Sequence, residues 1–238
     1  MKFIYNAPAI LHKGAIIVGD THFGMEGKLR TRGIYNERFS LGLFIRLKEL
    51  IEINNAKRII FLGDVKEEIR ALDRTTIQIL NSIADICKIT IVRGNHDGGI
   101  EHFQRAEIIP SEGFVYEGLG FLHGHSWPAQ ELMDAQYIVM GHQHPLVTIT
   151  DGFGKKHSQP TWLVAPPDQE KILMRYKKFN KKIKLIMMPA FNPLVGSIIN
   201  YDEKERFGPL LNNKLFKLDR ALVFRLDGTC LGKLSEIH

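Results

Sequence analysis

Five short apolar runs along the chain each end in residues that can hold a metal ion. Ile16-Ile17-Val18 leads into Gly19-Asp20-Thr21-His22, and Ile59-Ile60-Phe61-Leu62 into Gly63-Asp64. Ile89-Thr90-Ile91-Val92 leads, after Arg93, into Gly94-Asn95-His96-Asp97. Phe121-Leu122 leads into His123-Gly124-His125, and Tyr137-Ile138-Val139-Met140 into Gly141-His142-Gln143-His144. Short unbroken apolar runs read as buried strands, and open α/β sheets gather their ligands at strand carboxyl ends. Strands are therefore predicted at 14–20, 58–63 and 88–93. Between them the period becomes helical. Phe39, Leu43, Leu47, Leu50 and Ile51 recur behind Asn36-Glu37, which predicts a helix over 36–53. A second helix, after Asp73, turns Ile77, Leu80, Ile83 and Ala84 inward. The order strand, helix, strand, helix, strand is the signature of parallel pairing.

After residue 97 the helices thin out. Short strands are predicted near 114–116, 119–122 and 137–140, with Pro128 opening a short helix through Met133. Further strands at 146–150 and 161–165 flank Gly152-Phe153-Gly154, and others follow near 172–176, 183–188, 221–226 and 230–234. No linker or repeat divides the sequence, so residues 1–238 read as a single α/β domain with two packed sheets and helices outside them. Residues 23–33, glycine-rich and charged, read as a mobile loop beside the site. Its Lys28, Arg30 and Arg32 could meet substrate phosphates or be solvated loop charges.

Composition adds limits. No apolar run approaches the roughly 18 residues of a membrane span, and the first residues lack the order of a secretory signal, so a cytoplasmic protein with no membrane partner is expected. Cys87 and Cys230 have no partner spacing and read as small core residues. The chain carries a net charge of +6, and residues 171–184 contain seven basic side chains and no acid, which leaves −1 for the rest. The flanks Ile172-Leu173-Met174 and Leu185-Ile186-Met187 suggest that this segment is a basic hairpin. It either grips a nucleic-acid backbone or guards a sheet edge.

Asp20, His22, Asp64, Asn95, His123, His142 and His144 are too many ligands for one ion. Two divalent ions, roughly 3.5–4 Å apart and sharing a carboxylate, would use them all, and such pairs serve phosphoryl and amide hydrolysis. A mixed nitrogen and oxygen set without thiolate suits manganese, iron or zinc rather than calcium.

Asp20-x-His22, Gly63-Asp64, Gly94-Asn95-His96-Asp97, His123 and Gly141-His142-x-His144 resemble, in order, the five motifs of the calcineurin-like metallophosphoesterases. The resemblance extends toward one branch. Gly19-Asp20-Thr21-His22-Phe23-Gly24 with Arg30 and Gly33, His123-Gly124-His125-Ser126-Trp127-Pro128, Gly141-His142-Gln143-His144-Pro145 and Pro189-Ala190-Phe191-Asn192-Pro193 look like the archaeal SbcD-related phosphoesterases and the bacterial metallophosphoesterases encoded with a DNA ligase and a helicase. The resemblance implies a four-layer α/β/β/α sandwich of two mixed sheets. It implies one metal on Asp20, His22, Asp64 and His144 and a second on Asp64, Asn95, His123 and His142, with Asp64 bridging. The ions implied are manganese first, with iron, zinc or nickel as alternatives. It makes His96 the group that stabilises or protonates the departing oxygen, with Asp97 orienting it. Glu67 departs from the Asp or His that many relatives carry there, which leaves any role at that position open. The absence of Asp-Arg-Gly after the second motif argues against a phosphoprotein phosphatase.

His12, His102, His157 and His238 lie outside the motifs and read as surface or packing residues. His125 is a candidate substrate contact beside Arg30 and Arg32, and Trp127 could stack a base or cover a sheet edge. The expected activity is a two-metal phosphodiesterase or nuclease acting on DNA, linked to repair and to helicase or ligase partners. Two other readings stay open: a small-nucleotide or phosphomonoester hydrolase, and a non-catalytic scaffold, against which the filled ligand positions weigh.

Overall fold

The computed structural model describes residues 1–150, 152–198 and 208–237. Six strands form the first sheet in sequence order: β1 (Lys2–Phe3), β2 (Ile10–His12), β3 (Ala15–Val18), β4 (Arg58–Phe61), β5 (Lys88–Val92) and β6 (Ala106–Ile109). β1 to β3 pair antiparallel, and β3 to β6 pair parallel. The second sheet contains β7 (Phe114–Tyr116), β8 (Leu119–Leu122), β9 (Tyr137–Met140), β10 (Pro145–Thr150), β11 (Lys156–Ala165), β12 (Lys184–Met187) and β13 (Ser197–Ile198). Its order is β13-β10-β11-β12-β9-β8-β7, and β14 (Leu222–Arg225) joins β11 and pairs with β15 (Cys230–Lys233). β8, β9 and β12 are mutually parallel, while the neighbours of β11 are antiparallel to it. Both sheets are therefore mixed.

The apolar runs are unbroken because each central strand is covered on both faces. In β3, Ile17 points between the sheets with Ile60, Leu62 and Val92, against Phe121, Val139, Ile186 and Met188. Its neighbours Ile16 and Val18 point the other way, with Phe61 and Ile91, onto α2 (Phe39–Ile53) and α3 (Arg74–Ala84). The outer face of the second sheet packs Ile138, Met140, Leu185 and Met187 under Leu132, Met133, Ile172 and Leu210. Those last residues come from short helical segments that include α4 (Gln169–Leu173) and α5 (Pro209–Asn212). The result is the expected four-layer α/β/β/α sandwich, thin in helix on one side. Truncating a fully buried contact such as Leu47 to Ala would cost about 2–5 kcal/mol.

Several expectations are corrected. Residues 23–33 are not an irregular loop, since α1 (Glu26–Thr31) lies within them. Helix α2 begins at Phe39 rather than 36, and its cap comes from a distance: the Glu26 carboxylate accepts from the Ser40 N–H at 2.6 Å and the Ser40 hydroxyl at 2.7 Å. Helix α3 is capped by Asp73 as its sequence suggests, accepting from Thr76 N at 2.9 Å, but it buries Thr76, Ile79, Leu80 and Ile83, while Ile77 is exposed. The strand predicted near 172–176 is helix α4, started by Asp168, whose side chain accepts from Lys171 N. Ile172 alone of its apolar triplet is buried, and Leu173 and Met174 face solvent, so no basic hairpin exists. Cys87 is buried as expected, whereas Cys230 is exposed. Of the histidines outside the motifs, His12 is a buried packing residue and His238 lies outside the described residues. No helix among the described residues is long and apolar enough to cross a membrane.

Candidate metal centre

The turns after β3, β4, β5, β8 and β9 bring the motif side chains of both sheets to one place. Their backbones are unusual: Asp20 (φ 58°), His22 (45°), Asp64 (47°), His142 (68°) and His144 (46°) all adopt left-handed conformations. Each such non-glycine residue costs roughly 1–3 kcal/mol and persists only where surrounding bonds determine it. Those bonds are present. Asp20 N donates to Gly63 O at 3.1 Å, His22 N to Asp64 O at 2.9 Å, and Ser197 N to His144 O at 3.0 Å. The His142 N–H donates to both Asp20 carboxylate oxygens, at 3.2 and 3.1 Å. Two glycines of the motifs answer to the same crowding. A Cβ on Gly94 would lie 2.2 Å from Asp64 N and Oδ1, and one on Gly141 would lie 2.6 Å from Asp20 Oδ2.

Asp20, His22 and His144 present ligand atoms all within 4.8 Å of one another, and Asp64, His123 and His142 do the same. Asp64 lies between the two groups, its Oδ2 3.8 Å from His22 Nε2 and 3.5 Å from His123 Nε2. Its Oδ1 is taken by the His96 backbone N–H at 2.8 Å. Asn95 Oδ1 stands 3.1 Å from His123 Nε2, and His142 Nδ1 stands 3.1 Å from the same atom. The structure thus brings together all seven residues singled out as ligands. The floor is buried, with Asp20 and His123 fully so and Asp64 and His22 nearly so. Asn95, His142 and His144 form a more open rim.

Charge explains why this arrangement asks for a cation. Burial opposes ionisation of Asp20 and Asp64, yet His144 beside Asp20 and His123 beside Asp64 hold both carboxyls below the usual range. Burial likewise opposes a charged His123, but the carboxylates of Asp64 and Asp20 outweigh it and raise its pKa to about 9. Burial and that neighbouring charge push His142 down to about 4. Two buried carboxylates held ionised among imidazoles make this a place for positive charge. His123 Nδ1 lies 2.7 Å from the Leu62 carbonyl, to which it donates, and this turns Nε2 toward Asp64 and Asn95. The buried Nε2 atoms of His22 and His144 have no hydrogen-bond partner, although carboxylate oxygens lie 3.8 and 2.9 Å away. Orphaned imidazole nitrogens aimed at carboxylates, with an amide and no thiolate, fit divalent ions of the manganese, iron or zinc kind.

The surrounding residues depart from expectation. Asp97 does not orient the His96 ring. Fully buried, it accepts from Val65 N at 2.9 Å and Gly94 N at 2.8 Å, and so ties the second and third motif turns together. Each of its oxygens thus accepts from a backbone N–H, and neither has the His96 ring as a hydrogen-bond partner. The His96 ring is held instead by the Glu67 carbonyl, 3.1 Å from Nδ1. The Glu67 side chain does a second job: Oε2 lies 2.8 Å from His22 Nδ1, and Oε1 accepts from Lys28 Nζ at 2.5 Å. Burial opposes its charge, but His22 and Lys28 hold its pKa down to about 2. Lys66, buried throughout, donates to the carbonyls of His96 at 2.7 Å, Ile69 at 3.0 Å, and Glu68.

Of the three substrate contacts proposed from sequence, Arg30 and Arg32 are exposed in and after α1, and Arg30 lies 3.5 Å from Glu37. Only His125 adjoins the centre, its ring 5.2 Å from that of His123. Sequence reasoning missed Asn192 as a site residue. Fully buried, it donates to Thr21 O at 3.1 Å, while Phe191 N donates to Gly19 O at 2.9 Å, so the segment after β12 closes the turn that carries Asp20 and His22. The late Pro189–Pro193 motif was the signal available for it.

The model of the calcineurin-like phosphoesterase superfamily domain matches residues 15–169. A search of the curated proteins gave no match. Among solved structures, the nuclease MPE of Pseudomonas putida is similar with a TM-score of 0.55 and 17% identity, over 90% of this chain and 86% of that one. YfcE, a phosphoesterase from E. coli, is similar with a TM-score of 0.44 and 17% identity, over 92% of this chain and 97% of that one. The family match spans more than half of the sequence and takes in every motif from Asp20 to His144, so the chain belongs to the metal-dependent calcineurin-like phosphoesterase superfamily.

Proposed function

We propose that the protein is a two-metal phosphodiesterase that acts on DNA. The observation that carries this reading is the position of Asp64, whose Oδ2 faces one imidazole of each ligand group at 3.8 and 3.5 Å. A shared carboxylate between two sets of nitrogen and oxygen donors is the arrangement of binuclear hydrolases. Asp20, His22, Asp64 and His144 would hold one ion, and Asp64, Asn95, His123 and His142 the other. When bound, the ions supply Lewis-acid activation of the phosphate and of the attacking water.

The chain's own residues supply the rest. The Glu67 carbonyl fixes His96 Nδ1, so Nε2 is the ring atom left for the substrate. From the rim it can neutralise or protonate the departing oxygen. The Glu67 carboxylate fixes the ring of His22, and Leu62 fixes that of His123, so two ligands are oriented before any ion arrives. The diester preference and the DNA substrate follow from the motif resemblance to the SbcD-related and ligase-associated branch. The seven basic residues in 171–184 also support them. A scaffold role is disfavoured because every ligand position is filled.

The test is hydrolysis by the manganese-loaded protein of bis-p-nitrophenyl phosphate, p-nitrophenyl phosphate and DNA. Diester and DNA cleavage that chelation abolishes is expected. Hydrolysis of the monoester alone would move the reading to a phosphomonoesterase, and no turnover with manganese, iron, zinc or nickel would return it to a scaffold.

A further inference from the structure

A groove of about 620 Å³ opens beside the metal centre, lined by Glu112, His125, Ser126, Trp127, Pro128, Arg175 and Pro209. His125 joins the two places. Its ring lies 5.2 Å from that of His123 and 6.1 Å from that of His142, and its Nδ1 is buried without a hydrogen-bond partner. Two residues further on, Trp127 carries the guanidinium of Arg175 over its ring, with Cζ 4.7 Å from the centroid. Tyr176 meets the indole edge-on at 6.5 Å, and the Tyr176 hydroxyl donates to Pro128 O at 2.9 Å. Arg175 is exposed and makes no ion pair among the described residues. It belongs to the basic segment, and the turn of α4, in place of a hairpin strand, is what brings it onto Trp127.

We propose that this groove binds a nucleobase next to the scissile phosphate, stacked on the Trp127 and Arg175 pair. Bases stack on aromatic rings and on guanidinium planes whatever their identity. A second phosphate would be less welcome, because the Glu112 carboxylate lines the same groove. His125 lines the groove and its ring lies 5.2 Å from that of His123, so the groove continues directly from the centre. This assignment rests on the phosphodiesterase reading and adds to it a nucleic-acid substrate held by base stacking.

Two substrates with one leaving group test it: thymidine 5′-(p-nitrophenyl phosphate) and methyl p-nitrophenyl phosphate, with the full manganese-loaded chain. The wild type should favour the nucleoside ester in kcat/KM by about 5–150-fold, the range that one stacked base supplies. Arg175→Gln, at an exposed position, should remove most of that ratio, and Trp127→Phe should keep more of it than Trp127→Leu. A second readout needs no turnover. The chain has two tryptophans, and Trp162 is buried elsewhere, so quenching of fluorescence by oligothymidylate in chelator should vanish in Trp127→Phe and weaken in Arg175→Gln. Hydrolysis of both esters at equal efficiency, with no quenching, would overturn the subsite and keep the phosphodiesterase. Quenching that depends on Arg175 in a protein that hydrolyses neither ester would keep the subsite and overturn the phosphodiesterase.

Discussion

Glu67 serves two histidines through two different groups, and substitution can separate them. Its carboxylate lies 2.8 Å from His22 Nδ1, while its backbone carbonyl lies 3.1 Å from His96 Nδ1. Glu67→Ala removes the first contact and keeps the second. Lys28 Nζ, 2.5 Å from Oε1, loses its partner but is half-exposed, so water can replace it there. The cost should therefore fall on the orientation and basicity of His22, and such outer partners are worth roughly 10–100-fold in metal affinity. Metal titration followed by diester hydrolysis should show half-activation at a 10–100-fold higher manganese concentration, with kcat at saturating metal within about threefold of wild type. Glu67→Gln, which can still accept from an imidazole N–H, should fall in between. Unchanged metal dependence in Glu67→Ala would refute the reasoning. So would a saturating kcat reduced as far as that of a His96 variant, since the carbonyl would then not be what holds His96.

His96→Ala should keep its metals and lose roughly 10²–10³ in kcat. The deficit should be smaller for nitrophenyl than for alkyl leaving groups, and equal deficits would remove the acid role. Asp97→Ala leaves two buried backbone N–H groups unpaired at about 1–3 kcal/mol each, which should lower Tm by about 4–24 °C. Its activity in the cold should exceed that of His96→Ala, and a stable but inactive Asp97→Ala would restore the orienting role. Replacing Lys177, Lys178 and Lys181 by Gln should flatten the plot of log K against log salt for DNA by up to about 0.9 per lost contact on duplex or 0.7 on single strands. An unchanged slope would make these solvated charges, as the ion pair of Lys178 with Asp134 at 3.0 Å already suggests for one of them.

The parts legible in the sequence were those where one residue type serves one physical need. Continuous apolar runs marked strands covered on both faces, and the polar clusters after them marked one edge of the two sheets. The seven ligand candidates, drawn from five distant stretches, meet because both sheets direct their parallel strands to that edge. What was not legible depended on distant partners. The start of α2 was misplaced because its cap comes from Glu26, and nothing local to Asn36 shows that. The triplet Ile172-Leu173-Met174 has no period that separates strand from helix, and Asp168 decided it. Asp97 was assigned to its neighbour His96, but it bonds to the turn of Val65 instead. Glu67 was set aside as a departure from pattern, although a longer carboxylate reaches His22 from the same place.

The central claim, two ions sharing Asp64, is tested most directly by elemental analysis of the purified protein after manganese loading and desalting, beside Asp64→Ala. Wild type should hold two ions per chain. Asp64→Ala, which removes the one carboxylate lying between both ligand groups, should hold fewer than one and lose diester hydrolysis. Two ions retained in Asp64→Ala, or a wild type that saturates at a single ion, would contradict the account.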